Sequence, residues 1–449
     1  MYLLLKKTLK KFGVDATIGF TLLTRLIQAF GGVGSIVFIA KYLSAREQGY
    51  YYTFVSILAV QVFFELGLTG IITQYTAHEF SNLHWEDKDL SGAVSNQSRL
   101  SSLLRFCVKW FGIISVLLFF VLLFSGSFFF SKFGNDSTVN WQLPLMFLCL
   151  ATSLNLFIDP ILAFYDGLGE IEDISKVRLV QKTLNMILLI VLFVTGFKLY
   201  SAPIASLLST LVVYVLIFLT KRFYILKKVW AAKNIWTISY YQEIFPYQWR
   251  IALSWISGFF IFQLFNPVLF ATEGAKVAGQ MGMTLQALNG ISGLSMSWIS
   301  TKIPVFSNYI AKKDFISLDT LFNSTLKNLL VVNGILLVLL NVFIVGLKFY
   351  ELAIAERFLP LLPTLILSLV CFFNQLVFSW AVYLRCHKKE PFLWQSIVMS
   401  ILVSASTFVF GKKYGLMGIV DGYAFFSIAV SLTWSFKLFT SKKAKWHNI

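Results

Sequence analysis

The chain has 449 residues, of which 57% are hydrophobic and only 13% charged, and phenylalanine alone accounts for 46 of them. Soluble chains carry about 25% charged residues, so this composition excludes an ordinary soluble enzyme, a disordered protein and a disulfide scaffold. The four cysteines and four histidines are scattered along the chain without metal-ligand spacing, and neither a metal site nor a cofactor is expected. The sequence predicts a membrane protein.

Long apolar runs define the predicted architecture. A helix needs about 20 apolar residues to cross a bilayer, and helices are favoured because lipid cannot satisfy an open backbone. The predicted fold class is therefore an all-α polytopic membrane protein with about 12 transmembrane helices in two six-helix bundles. The predicted spans are residues 16–41, 48–77, 103–125, 141–165, 177–197, 202–220, 246–271, 277–301, 324–346, 361–385, 391–410 and 415–439.

Basic residues flank these spans unevenly. If the N-terminus lies inside, most of the 38 lysines and arginines fall in the inner segments, as the positive-inside rule requires. Both termini are therefore predicted to be cytoplasmic. The net charge of +17 follows from this bias towards an anionic inner leaflet, and no nucleic-acid partner is expected.

A basic stretch separates two sets of six spans. The sequence predicts an N-terminal bundle at 1–220, a cytoplasmic basic linker at 221–245 and a C-terminal bundle at 246–449. The linker mixes basic and aromatic residues, which suits either an amphipathic helix in the membrane interface or a solvated connection. The spacing Arg46-x-x-Gly49 returns as Lys276-x-x-Gly279, and this weak repeat indicates two halves of the same orientation.

The loops are too short to hold a nucleotide-binding domain. The longest predicted outer connection is residues 126–140, and the longest inner ones are 78–102 and 221–245. The chain also lacks the GxxxxGK[ST] pattern that binds nucleotide phosphates. We therefore expect a protein that is not an enzyme and does not hydrolyse ATP.

Ionisable residues inside the spans are the candidate functional residues, because they are costly in lipid. Arg25 on the first span and Glu65 on the second lie at similar predicted depths. They could form an ion pair that only docks two helices. Alternatively, Arg25 meets an anionic substrate while Glu65 positions Arg25 or senses protons.

Three further cations lie just inside predicted cytoplasmic helix ends: Lys109, Lys182 and Arg250. Snorkelling to the headgroups explains each one singly, but together they would form a positive vestibule suited to phosphate. Asp159 lies at about the depth of Lys182 and could be its structural partner.

Amide side chains within the spans could bind sugar hydroxyls or hold helices together. They are Gln28, Gln61, Gln263, Asn266, Gln286, Asn289, Asn374 and Gln375.

Several stretches together resemble the Wzx-type polysaccharide flippases of the MOP superfamily, which also holds the MATE drug exporters and the lipid II flippases. The first is residues 39–79, with Glu65-Leu66-Gly67 on the second helix. The others are FYDGLGEIEDISKVRLVQ (164–181), ISTKIPVFSNYIAKKDFISLDTLF (299–322), YLRCHKKEPF (383–392) and KKYGLMGIVDGY (412–423). The resemblance covers nearly the whole chain.

This resemblance implies a multi-pass transporter in the bacterial cytoplasmic membrane. It would move an undecaprenyl-diphosphate-linked oligosaccharide, such as an O-antigen repeat unit, from the inner to the outer leaflet by alternating access. Arg25, Lys109, Lys182 and Arg250 would bind the diphosphate, and Glu65, with Asp159 nearby, would couple transport to a proton or ion gradient. Implied partners are the lipid-linked substrate, membrane lipids and other polysaccharide assembly proteins.

Three alternatives remain at this point. A MATE-type drug or cation antiporter would need an acidic rather than a basic lumen. A membrane glycosyltransferase or polymerase would carry a larger outer loop, and a sugar permease would carry a Gly-x-x-x-Asp-Arg-x-Gly pattern that the 78–102 loop lacks. Lipid II flippases commonly have fourteen helices, against the twelve predicted here.

Overall fold

The computed structural model of the protein describes residues 31–32, 34–86, 89–134, 138–232, 235–387 and 389–447. Most of this part is helical, and residues 34–42 form a helix before Ala45. From Ala45 onward the helices are α1 (Ala45–Leu58), α2 (Val62–Glu65), α3 (Leu68–Phe80), α4 (Val94–Phe133), α5 (Gln142–Gly167), α6 (Ile171–Val194), α7 (Ser201–Phe218), α8 (Lys221–Ala231), α9 (Phe245–Phe262), α10 (Phe265–Glu273), α11 (Ala275–Ser300), α12 (Ile303–Lys312), α13 (Phe315–Phe349), α14 (Leu361–Arg385), α15 (Leu393–Phe425) and α16 (Thr433–His447).

Shorter elements join some of these helices. Short 3₁₀ turns lie at Ala59–Gln61, Lys198–Tyr200 and Ala353–Arg357, and π-helical turns lie at Tyr240–Ile244 and Phe426–Leu432. An antiparallel hairpin of β1 (Leu83–Glu86) and β2 (Asp89–Gly92) follows α3, with Leu83 opposite Gly92. This hairpin was not expected from the sequence.

Among the described residues, nine helical stretches are long and apolar enough to cross a membrane. Eight coincide with single predicted spans, and the ninth, Leu393–His447, covers the predicted spans 391–410 and 415–439. Its backbone leaves the helical conformation at Gly415 (φ 58°, ψ −136°), between those two spans. Helix α11 lies at the predicted span 277–301 but is not one of these nine stretches. Its Gly, Ser, Gln and Asn residues make it less apolar than they are.

Part of the predicted topology is not tested by this structure. The predicted span 16–41 lies mostly outside the described residues. Twelve spans and two cytoplasmic termini therefore remain predictions.

The chain forms two compact units. The described part of the first unit is Gly31 and Ile57–Trp255, and the second unit is Gly32–Ser56 together with the chain from Ile256 onward. The division therefore falls inside α1 and α9. The bundle boundaries at 220 and 246 stay a prediction.

In the first unit, α5 packs against α3, α4 and α7. The basic stretch after residue 220 forms α8, whose N-cap Thr220 accepts a hydrogen bond from the Arg222 backbone N–H. Several side-chain contacts hold α8 on this unit; for example, the Tyr165 hydroxyl donates to the Arg222 carbonyl (2.6 Å), and Arg105 donates to the Trp230 carbonyl (2.8 Å). The basic stretch thus forms a helix that packs on the first unit, and its location in the membrane interface stays a prediction.

In the second unit, α11 packs against α10, α13 and α14. Aromatic residues form much of the core of this unit beside the α14–α15 turn. Phe306, Phe322 and Tyr383 are almost wholly buried there. The Phe322 and Tyr383 rings meet edge to face at 4.7 Å. Such aromatic pairs stabilise a packed core beyond the area that they bury.

The two glycines of the weak repeat meet where α1 crosses α11. A Cβ on Gly49 would overlap the Ala275 carbonyl, and a Cβ on Gly279 would lie 2.8 Å from the Gly49 nitrogen. Beside them, the Gln48 amide donates to the Gly279 carbonyl (2.8 Å) and to the Arg357 carbonyl (3.1 Å). Only residues without side chains permit this approach, as at small-residue helix crossings in membranes.

Substituting Gly49→Ala should destabilise the protein by at least about 1–3 kcal/mol, because the new methyl group overpacks a backbone contact. The measurement is the thermal unfolding midpoint of purified protein in detergent. Gly293→Ala is the matched control, since nothing lies within 4 Å of a Cβ there. An unchanged midpoint for Gly49→Ala would contradict the close crossing.

Candidate functional site

Glu65 lies at a break in an apolar helix. It ends α2, and the next two residues adopt left-handed conformations, Leu66 at φ 49° and Gly67 at φ 70°. A side chain at Gly67 would overlap Ile251 on α9. Broken helices at membrane depth are tolerated only where protein or water faces the freed backbone. The break therefore marks a buried or water-lined place in the first unit.

The Glu65 carboxylate is partly buried, and the Thr69 hydroxyl on α3 donates to it. Across from it, Asp159 on α5 lies within electrostatic range of Glu65, Lys182 and Arg178. Pro160 follows Asp159 inside α5, and a proline there removes one backbone donor from the helix. The structure thus brings together three of the residues predicted from the sequence, Glu65, Asp159 and Lys182.

The two cations of this cluster differ in how far they are already paired. Arg178 forms an ion pair with Asp166 at 2.7 Å. Lys182 is exposed, and no ion pair joins it to any carboxylate of the described chain. Lys182 is therefore the cation of this cluster that remains available to an anionic ligand.

Polar groups on α5, α6 and α7 surround the same place. The Gln181 amide donates to Asn155 (3.0 Å), and the Tyr214 hydroxyl donates to the Leu154 carbonyl (2.8 Å) while lying in electrostatic range of Asp159. No role for Arg178, Gln181 or Tyr214 was expected from the sequence. For Arg178 and Gln181, the available signal was their spacing on α6, about one helical turn or less from Lys182.

The other predicted cations are not paired with this cluster in the part of the chain that the structure describes. Lys109 on α4 and Arg250 on α9 are exposed, and among the described residues neither forms a hydrogen bond or ion pair with Glu65, Asp159 or Lys182. The Arg250 guanidinium lies over the Trp249 ring, 5.3 Å from its centroid. Arg25 lies outside the described residues.

A second charged network joins α3, α4 and the segment before α9. Arg99 donates to Glu79, which is 2% exposed, at 2.9 Å and also to Glu243. Burial alone would raise the pKa of Glu243, but hydrogen bonds from Arg99 and the Ser239 backbone N–H lower this pKa below its ordinary value. The Tyr75 hydroxyl donates to the Glu243 carbonyl (2.6 Å). This network fixes the chain between α8 and α9.

Substituting Arg99→Ala should destabilise the protein by about 3–5 kcal/mol, the range for removing one partner of a buried charge pair, because Glu79 would stay buried without its cation. A thermal unfolding series in detergent measures this effect. The pKa of Glu243 is lowered in the folded protein, so Glu243 stabilises the fold above its ordinary pKa of 4.5. This contribution is lost as the pH falls and the carboxylate becomes protonated. The difference from the wild type should therefore shrink below pH 4.5. Arg250→Ala, at an exposed position, is the control. The predicted role of Arg99 would be contradicted by a stability difference that persists at lower pH, or by an effect no larger than that of Arg250→Ala.

The second unit contains a neutral pocket of about 310 Å³. Its walls carry the amides of Gln263, Asn289 and Asn374, the hydroxyl groups of Ser292 and Tyr423, and aromatic and aliphatic side chains, including Phe262, Phe265 and Phe378. No charged residue of the described ranges lines it. Asn374 donates to the Tyr423 hydroxyl at 3.0 Å, and this bond orients both groups.

Five of the eight candidate amides fall into two groups, and Gln28 lies outside the described residues. Gln286 donates to Gly32 (2.8 Å) and Ser35 (2.9 Å), and Asn266 donates to Ser56 (3.2 Å), so these two hold helices together. Gln263, Asn289 and Asn374 face the pocket instead. Amides and aromatic faces in a pocket of this kind are suited to an uncharged polar ligand.

Comparisons with known proteins show what fold this chain has. No protein-family profile matches the sequence, and no curated protein matches it. Among solved structures, an inward-facing multidrug resistance MATE family transporter of the MOP superfamily is similar over 90% of this chain and 94% of its own, with a TM-score of 0.63 and 14% identity. The lipid II flippase MurJ in an inward closed conformation is similar over 96% of this chain and 90% of its own, with a TM-score of 0.59 and 16% identity.

A third solved structure is a MOP superfamily transporter from Pyrococcus furiosus, described as having a binding pocket of reverse polarity that suggests a different function. It is similar over 95% of this chain and 96% of its own, with a TM-score of 0.57 and 14% identity. Each of these three similarities covers at least 90% of this chain and at least 90% of the neighbour. The protein has the fold of the MOP superfamily transporters.

Proposed function

We propose that this protein is a membrane transporter that flips an undecaprenyl-diphosphate-linked oligosaccharide to the outer leaflet of a bacterial cytoplasmic membrane. Such a substrate has three parts with different requirements. Its lipid tail can stay in the bilayer, whereas its sugars and diphosphate cannot cross hydrocarbon unaided. A transporter for it needs a neutral polar surface for the sugars and a cation for the diphosphate.

The neutral pocket of the second unit is the observation that carries this proposal. Sugars are bound by amide and hydroxyl groups that exchange hydrogen bonds with their hydroxyl groups, with apolar walls around them. Gln263, Asn289 and Asn374 supply the amides, and Phe262 and Phe378 supply apolar faces. Among the residues that the structure describes, no carboxylate lines this surface for a cationic drug to bind.

Lys182 in the first unit supports the diphosphate part of the proposal. It is exposed and free of an ion pair among the described residues, so no internal partner has to be displaced. A charge-assisted hydrogen bond from an ammonium group to a phosphate oxygen is roughly twice as strong as a neutral one. Asp159 lies within electrostatic range of both Lys182 and Glu65, and we assign the two carboxylates the coupling of transport to a proton gradient.

The same two carboxylates favour a second candidate function. Paired acids inside a membrane protein can bind a cation or a proton, so a proton-coupled antiporter of cationic drugs is the alternative. It accounts for Glu65 and Asp159, but it leaves the neutral pocket and the free Lys182 without a role.

Reconstitution tests the proposal against this alternative. Purified protein is placed in liposomes with a labelled undecaprenyl-diphosphate oligosaccharide, and its exposure to an external sugar-modifying enzyme is followed with and without a pH gradient. We expect faster exposure than in empty liposomes. Unchanged exposure with several glycans, together with gradient-driven uptake of a cationic dye, would establish the antiporter instead.

A further inference from the structure

A groove of about 480 Å³ lies in the second unit at the turn between α14 and α15. Three tryptophans line it, Trp394, Trp434 and Trp446, together with Lys389 and Lys442. It lies apart from the neutral pocket and shares no lining residue with it. Nothing in the proposed function uses it.

The position of the groove follows from the apolar spans around it. Helix α14 is apolar enough to cross a membrane and ends at Arg385, and the stretch from Leu393 to His447 is a candidate span as well. The turn at 386–392 is thus where the chain leaves the apolar part of α14. Tryptophan is enriched at this level of a membrane, where its ring lies among the headgroups.

The charges at the groove leave two cations available. Glu390 also lines the groove, but both its oxygens accept hydrogen bonds from Arg385, at 2.7 and 3.0 Å. On α16, Lys443 forms an ion pair with Asp319 at 2.8 Å, whereas its neighbour Lys442 has no carboxylate partner in the described chain. Lys389 lies over the Trp446 ring, 4.7 Å from its centroid, and likewise lacks one.

We propose that this groove binds the phosphate-bearing headgroup of an anionic phospholipid from the surrounding bilayer. The ammonium groups of Lys389 and Lys442 would contact the phosphate. The exposed Trp394 ring (69% exposed) would cover the glycerol backbone and the upper acyl chain. Lysines beside a membrane span attract anionic lipids in this way, and the rings provide the apolar contact that a free phosphate ion could not use.

The test measures lipid retained by the full-length protein in native mass spectrometry. Detergent-solubilised protein is titrated with dioleoylphosphatidylglycerol or dioleoylphosphatidylcholine. We expect selective retention of phosphatidylglycerol, reduced about tenfold to thirtyfold in Lys389→Gln/Lys442→Gln, since each lysine near the surface contributes separately to anionic-lipid binding. Lys437→Gln/Lys445→Gln removes the same charge from α16 outside the groove and should retain the lipid.

Two further arms keep the result unambiguous. Trp394→Ala changes an exposed ring and leaves the charges intact, and it should also lower retention of phosphatidylglycerol. An excess of inorganic phosphate should not displace the lipid. The proposal would be overturned by equal retention of both lipids, by equal retention in both double variants, or by complete displacement by phosphate. An unfolding midpoint is measured for every variant to show that it is folded.

Discussion

Replacing Glu65 by Gln and Asp159 by Asn in one protein should abolish the dependence of transport on a pH gradient. Asp159 lies within electrostatic range of both Glu65 and Lys182, and carboxylates inside the membrane-spanning part of a transporter are candidate proton sites. Neither amide can take up or release a proton. Transport with a gradient should therefore fall to the rate measured without one, in liposomes that contain the labelled lipid-linked oligosaccharide.

The single variants and a matched acid make this prediction specific. Glu65→Gln and Asp159→Asn should each change the gradient dependence, because removal of one charge alters the field at the other. Glu172→Gln on α6 is the control, since Glu172 is half exposed and pairs with Lys176. Full gradient dependence in the double variant, with normal membrane levels, would leave both residues with a structural role.

The sequence predicts the membrane spans well, because a run of about 20 apolar residues has few alternatives in a bilayer. It does not predict where a span breaks. Leu66 carries a side chain yet adopts a left-handed conformation, and no local pattern requires this. The kink at Gly415 is similar: the Leu416 backbone N–H donates to Glu273, a residue far away in the sequence.

The sequence likewise predicts only part of the candidate site. Counting residues along each span gives the depths of Asp159 and Lys182, and depth alone suggests that they approach each other. Their neighbours around the helix depend on which faces pack together, so Arg178, Gln181 and Tyr214 were not identified. The assignment of Gly32–Ser56 to the second unit likewise rests on tertiary packing, such as the crossing at Gly49, that no composition reveals.

Substituting Lys182→Gln should weaken binding of the lipid-linked oligosaccharide by about tenfold to a hundredfold, the equivalent of a lost hydrogen bond between charged groups. Initial transport rates over a range of substrate concentrations measure this. Lys182→Arg keeps the charge and should retain most of the activity. Lys176→Gln, on the same helix and already paired with Glu172 at 2.8 Å, should behave like the wild type.

The same variant separates the two candidate functions. A flippase loses a contact to the diphosphate when Lys182 is neutral, so its transport falls. A cation antiporter loses a repulsive charge near its two carboxylates, so its uptake of a cationic dye should hold steady or increase. A fall in dye uptake together with unchanged glycan transport in Lys182→Gln would contradict the role of Lys182 under either function.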